Sequence, residues 1–230
     1  MYEIILFDLD GTLTDPGEGI TNSVSYALKK FGIEAADRRQ LYRFIGPPLI
    51  ESFEKFYGFS GAQAQEAVAY YREYYTQKGI FENKVYDGIA QMLMALRSEN
   101  RRLALATSKP EVFAQQILTH FSLDTYFEVT AGAKLDGTRT KKDEVILYAL
   151  ESLHVTDRSA VIMVGDREHD IFGAKKTGID SLGVLFGYGS CEELKQAGAD
   201  YIAGSVQEII KILLNTADED QKIDGTGTVL

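Results

Sequence analysis

At 230 residues and 45% hydrophobic content, the chain has room for a main domain with a smaller insertion and for a sizeable core. Its 24 basic against 34 acidic residues, a formal net charge of −10, speak against nucleic acid and anionic membrane as partners. An anionic substrate would need positive charge concentrated at its site. The one cysteine, Cys191, allows no internal disulfide, and no stretch approaches the ~18 apolar residues of a membrane helix, so a cytoplasmic protein is expected.

The first apolar run, Ile4–Phe7, is continuous rather than alternating, as in a parallel strand buried on both faces, and is too short for a signal peptide. From about Gly17 to Gly79 only helical patterns follow. Ile20, Val24, Ala27, Leu28 and Phe31 make one stripe, and Asp37 is placed to cap a second helix. Leu49 to Tyr57 reads as a third helix after Pro47-Pro48; Val68, Tyr71 and Tyr75 mark a fourth after a cap at Ser60. Tyr70, Tyr71, Tyr74 and Tyr75 read as packing of these helices. A crossover of roughly seventy residues exceeds the usual strand–helix–strand connection, so a small all-helical domain is expected after the first strand.

Asp87 to Arg97 reads as a helix leading into the run Leu103–Ala106, and Pro110 suits the first turn of the helix that follows. Phe127–Ala131 is a weaker strand. Val145, Ile146, Ala149, Leu150 and Leu153 form a helical stripe, followed by strands at Ala160–Val164, Ser181–Phe186 and Tyr201–Ala203. Strands alternating with helices predict an α/β fold with a doubly wound parallel sheet. Residues 1–15 and 83–214 are then the Rossmann-like core and 16–82 the helical insertion. Residues 215–230, polar and rich in Gly and Thr, are expected to be a flexible tail.

Four clusters of polar residues fall where these strands end. Asp8 and Asp10, two apart at the end of the first strand, are either a solvated turn or a buried pair; burial would imply a cation to offset them. Thr107-Ser108-Lys109 ends the second strand, and its hydroxyls are either a helix cap or holders of a phosphate oxygen. Lys141-Lys142 opens a later helix, where a cation is odd beside the positive helix terminus unless both share an anion; Lys142 is the choice and Lys141 the alternative. Asp166 and Asp170 follow the strand Ala160–Val164, and hard oxygen ligands of this kind suit Mg²⁺. No His/Cys set has zinc spacing, and His169 is expected at the surface.

Taken together and in this order, Asp8–Thr12, Thr107, Lys142 and Gly165–Asp170 resemble the motifs of the haloacid dehalogenase superfamily of phosphohydrolases. The likeness covers about residues 1–214. Phe7–Leu13, Gly46-Pro47-Pro48-Leu49 and Val164–Ala174 are most similar to its phosphoglycolate phosphatase and 5'-nucleotidase-like subgroup. The resemblance implies that Asp8 is the nucleophile, and that Asp10 protonates the leaving oxygen and then activates water. It further implies that Thr107, Ser108 and Lys142 hold the phosphate and that Asp8, Asp10, Asp166 and Asp170 surround Mg²⁺. A small phosphate ester would be the substrate, without nucleic acid or membrane, on a monomer or homodimer. Substrate choice is expected from the helical insertion, with Glu18, Arg43 and Gly46 as candidates. A β-phosphoglucomutase-type phosphomutase, a pyrophosphatase and, from another class, a phospho-accepting receiver module are the alternatives.

Overall fold

A computed structural model describes residues 2–214; the expected tail at 215–230 lies outside the described residues. The chain forms two compact units, one of residues up to Leu13 and from Val85 onward, the other Thr14–Lys84.

The first unit is built on six parallel strands: β1 (Ile4–Phe7), β4 (Arg102–Pro110), β5 (Val129–Ala133), β6 (Val161–Gly165), β7 (Asp180–Val184) and β8 (Tyr201–Ala203). Their order across the sheet is β5-β4-β1-β6-β7-β8. The chain therefore builds outward from β1 through β4 and β5, then restarts on the other side with β6. That reversal is the point at which open α/β sheets bind ligands, beyond the carboxyl ends of the strands. Continuous apolar runs are needed because helices cover both faces.

Period-two alternation divides those runs. Ile4 and Leu6, Ala104 and Ala106, and Val161 and Met163 pack with Val145, Ile146, Ala149 and Leu150 of α6 (Lys142–Ser152) and with Ala174 of α7 (Glu168–Thr177). Ile5 and Phe7 point to the opposite layer and are equally buried. The remaining helices of this unit are α4 (Ile89–Ser98), α5 (Glu111–His120), α8 (Cys191–Ala197) and α9 (Val206–Leu214). Pro110 precedes α5 rather than standing within its first turn, since it still pairs with Ala133 across the sheet.

The second unit is helical: α1 (Gly17–Lys30), a 3₁₀ segment (Arg38–Phe44), α2 (Leu49–Tyr57), α3 (Gly61–Tyr74) and a π-helical turn (Tyr75–Gly79). Two-residue strands β2 (Thr14–Asp15) and β3 (Lys84–Val85) pair with each other and have no apolar run to announce them. Asp37 accepts from the Arg39 N–H at 2.9 Å, but the helix it caps is 3₁₀. Its buried residues, Leu41 and Phe44, are three apart, which suits three residues per turn. Ser60 caps α3 through the Gln63 N–H. Phe44 lies 5.0 Å from Phe53 and Phe31 4.7 Å from Phe59, contacts worth roughly 0.5–1.5 kcal/mol each beyond area burial. Tyr71 and Tyr75 are buried and stacked at 5.2 Å, as packing residues should be.

Candidate active site

Asp8 continues β1 by one residue, its N–H donating to the Val164 carbonyl at 2.9 Å. Alternation gives Asp8 the same side as Leu6, the side covered by α6 and α7. The first residue of α6 is Lys142, and Asp170 lies in the first turn of α7. Lys142 Nζ sits 2.9 Å from Asp8 Oδ1 and 2.7 Å from Asp170 Oδ1, and donates to the Ala106 carbonyl at 3.1 Å. The two carboxylate contacts are ion pairs without hydrogen-bond angles, so both oxygens lack a hydrogen-bond partner. Asp170 Oδ2 accepts from the Arg167 N–H at 3.1 Å.

Asp166 follows β6 and is fully buried. Its Oδ2 accepts from the Tyr188 N–H at 2.7 Å, while Oδ1 has no partner. Space for this carboxylate comes from missing side chains. A Cβ on Gly11 would lie 2.1 Å from Asp166 Oδ2, and Gly11 also holds φ +85°, which disfavours any L side chain. On the other side the loop after β7 lies against Asp166, where a Cβ on Gly189 would meet its carbonyl oxygen at 1.9 Å. A Cβ on Gly165 would likewise overlap Asp170.

Thr107 and Ser108 do not form a simple turn. Strand β4 runs on to Pro110 with a register shift between Thr107 and Pro110, a bulge of the kind that re-aims side chains. Thr107 is buried, and its Oγ1 accepts from the Lys109 N–H at 3.3 Å; Ser108 is half-buried. The bulge turns Lys109 inward, with Nζ 2.5 Å from Asp10 Oδ2, and both side chains are about nine-tenths buried. Lys109 has no role assigned from the sequence, where only the hydroxyls of Thr107 and Ser108 stand out. Its signal was a lysine directly after two hydroxyls at a strand's carboxyl end. The Tyr188 amide was missed as well; only Gly187 and Gly189 hinted at a close approach there.

Four carboxylates, Asp8, Asp10, Asp166 and Asp170, thus stand against two ammonium groups, Lys109 and Lys142, leaving two negative charges in excess. Burial, reinforced by the charges of Asp170 and Asp8, holds the Asp166 carboxyl well above the ordinary carboxylate range. Burial also raises Asp10 and Asp170, opposed by Lys109 and Lys142 respectively. For Lys142 burial works against its charge, but Asp170 and Asp8 outweigh it and its pKa rises. Ligand oxygens of Asp8, Asp166 and Asp170 lie within 4.8 Å of one another. An all-oxygen set with an excess of two negative charges and buried oxygens without partners fits a hard divalent cation such as Mg²⁺. The Asp10 carboxylate stands apart from that set, on Lys109.

Of the two lysines weighed for the phosphate, Lys141 is exposed and Lys142 buried in the cluster. His169 is exposed. Glu18, Arg43 and Gly46 belong to the helical unit and are all exposed there. The Glu18 carbonyl accepts from Arg38 at 2.9 Å, the Arg43 guanidinium lies 4.3 Å from the Phe56 ring centroid, and Gly46 has φ +102°.

A parallel sheet with acids and lysines gathered beyond its strand ends defines the class: a Rossmann-like α/β protein with a charged site at the point where the strand order reverses. The profile of the haloacid dehalogenase-like hydrolases matches residues 5–184, and the chain belongs to that family as a phosphatase-type enzyme. A 5'-nucleotidase of Pseudomonas aeruginosa is 49% identical over 194 residues, 84% of this chain and 87% of its own. The crystal structure of a predicted phosphatase from Clostridium acetobutylicum is similar at TM-score 0.90 and 51% identity, covering 94% of this chain and 99% of its own. The tyrosine-protein kinase PtkA of Mycobacterium tuberculosis is 38% identical over 213 residues, 92% of this chain and 72% of its own.

Proposed function

We propose that the protein is a cytoplasmic, Mg²⁺-dependent phosphomonoester hydrolase acting on small phosphorylated metabolites through a phosphoryl group carried on Asp8. The observation that carries this is the buried triangle of Asp8, Asp166 and Asp170 with Lys142 between two of its members. Asp8, Asp166 and Asp170 would hold the ion by carboxylate oxygens, and Asp10 by its carbonyl. Bound there, Mg²⁺ would offset charge on the phosphoryl oxygens.

A carboxylate oxygen of Asp8 attacks phosphorus, the ester P–O bond breaks, and the leaving oxygen takes a proton from Asp10 to depart as the alcohol. Asp10 then takes a proton from water as that water attacks phosphorus, which releases inorganic phosphate and restores Asp8. Lys142, Thr107 and Ser108 are the groups we assign to the phosphoryl oxygens throughout. Glu18, Arg43 and Gly46 are assigned to substrate choice. The similarity to a 5'-nucleotidase favours a nucleoside 5'-monophosphate first, and the subgroup resemblance a phosphoglycolate-like ester second. Membership of a hydrolase family removes the receiver module from consideration.

The test is rapid quench of the wild type and of Asp10→Asn with Mg²⁺ and each candidate substrate, followed by mass spectrometry of the intact protein. A phosphate adduct on Asp8 is expected, accumulating in Asp10→Asn and absent from Asp8→Asn, whose turnover falls to background. An adduct elsewhere, or near-normal turnover by Asp8→Asn, overturns the mechanism. The likeness to PtkA supports a second outcome, passage of the phosphoryl group to a tyrosine hydroxyl, which a tyrosine-containing peptide added to the quench would capture. Isomerisation of a sugar phosphate without phosphate release would instead mark a mutase, and faster turnover of pyrophosphate a pyrophosphatase.

A further inference from the structure

We infer that Lys109 is the positioning residue for Asp10: it holds one carboxylate oxygen so that the other is presented for proton exchange. The inference rests on the acid–base reading of Asp10. Lys109 Nζ lies 2.5 Å from Asp10 Oδ2, and neither side chain has the exposure to exchange this partner for water. Asp10 Oδ1 is buried and makes no hydrogen bond, so the pair leaves one oxygen fixed and one available. A carboxyl that gives a proton to one atom and later takes one from another needs that asymmetry. Two oxygens in equivalent surroundings would present neither reliably.

The backbone under Lys109 is fixed from two sides. Its N–H donates to Thr107 Oγ1, and its carbonyl packs against Gly132, where a Cβ would lie 2.8 Å away. Beside it, Glu111 accepts from the Gly132 N–H at 3.4 Å and pairs with Arg139 at 2.5 Å, which ties the bulge to β5 and to the loop before α6. A flexible lysine on so constrained a bulge delivers a compact charge to one place. A role as a direct phosphate ligand makes different predictions from a role exerted through Asp10.

The experiment compares the wild type, Lys109→Met, Lys109→Arg, Asp10→Asn and the double variant Asp10→Asn/Lys109→Met. Each is assayed on an aryl phosphate, whose leaving group needs no proton, and on a nucleoside 5'-monophosphate, whose leaving group does. Lys109→Met should lose roughly tenfold or more of the first-turnover rate of leaving-group release on the nucleotide, a share of the ~10²–10⁴-fold that general acid–base catalysis contributes, with far less loss of that rate on the aryl ester and no rise in KM. Lys109→Arg should recover part of the loss. In the Asp10→Asn background, removing Lys109 should cost less than about twofold, because residues acting through one another are not additive.

Losses that multiply in the double variant, or a rise in KM shared by both substrates, would make Lys109 a phosphate ligand and overturn the inference. Equal losses of the first-turnover rate of leaving-group release on both substrates would also overturn it. Should Lys109→Met not fold, Lys109→Gln keeps a polar stem and serves in its place, and full activity of that variant on the nucleotide counts against the inference. Failure of Asp10→Asn to lose nucleotide turnover would instead strike the acid–base reading of Asp10 itself.

Discussion

Asp166→Asn should make the metal-free protein more stable while removing its response to Mg²⁺. Asp166 is fully buried, with carboxylates of Asp8 and Asp170 within 4.8 Å and no lysine of its own. The penalty for keeping it in the folded state at pH 7 is bounded by the cost of protonating it. At about 1.36 kcal/mol for each pH unit above its ordinary 3.8, that bound is ~4 kcal/mol. Asparagine can still accept from the Tyr188 N–H through its carbonyl, so that hydrogen bond survives. A gain of ~2 kcal/mol is a fair share of the bound, which for a chain of this length raises the melting temperature by about 4–8 °C.

Circular dichroism melts in EDTA and in Mg²⁺ measure both halves of the claim. Mg²⁺ at a hundred times its Kd should add about 2.7 kcal/mol to the wild type and little to the variant. The pH dependence follows from the direction of the shift. The folded protein keeps this proton to higher pH than the unfolded chain, so Asp166's contribution to metal-free stability is fully present at and below the ordinary value of 3.8 and is lost as pH rises toward the raised one. The advantage of Asp166→Asn should therefore widen from about pH 4 upward. A variant less stable than wild type in EDTA, or one that Mg²⁺ stabilises as strongly, would refute the reasoning.

Chelation should abolish phosphatase activity, Mg²⁺ should restore it, and Ca²⁺ should support it poorly because its larger, looser shell does not hold the required geometry; full activity in excess EDTA would oppose this. Gly11→Ala should destabilise the fold by about 2 kcal/mol or more, since its φ is positive and its methyl would overlap Asp166, as a lowered melting temperature would show. Arg43→Ala or Glu18→Ala should reorder the preference among phosphate esters while slow hydrolysis of an aryl phosphate persists; loss of that hydrolysis in both would place these residues in the catalytic machinery or the fold.

The strands were legible because a sheet covered on both faces demands continuous apolar runs, and Ile4–Phe7 is such a run flanked by polar residues. Even Tyr201–Ala203 could be found this way. Strand β4 was harder. Its apolar portion ends at Ala106, yet pairing continues to Pro110 through a bulge, and a bulge has no hydrophobic signature. Lys109 escapes notice for that reason: nothing in the pattern shows that beyond the bulge its side chain reaches Asp10. The 3₁₀ segment at Arg38–Phe44 and the π turn at Tyr75–Gly79 were read as ordinary helix, because a seven- or five-residue window does not separate the three periods. The dipole of the α6 N-terminus points to an anion shared with a lysine there but does not choose between Lys141 and Lys142. Which of the two turns inward is set by the register of α6, whose Val145, Ile146 and Ala149 face the sheet.

The arrangement of the two lysines bears on how neighbouring carboxylates two residues apart can do different work. Lys142 lies between Asp8 and Asp170, and Lys109 pairs with Asp10. Identical side chains with the same partners would offer no geometric basis for different work. Here Asp8 is joined to the acid triangle that fits a cation, while Asp10, outside the triangle, is raised by its burial and drawn back by Lys109. The two carboxylates therefore differ in partner and in position, which is what different roles in one site would require. The separation traces to chain geometry: the chain leaves the strand at Asp10, with the Thr12 and Leu13 N–H groups turning back to the Leu9 carbonyl, and the irregularity in β4 brings a second lysine to meet it.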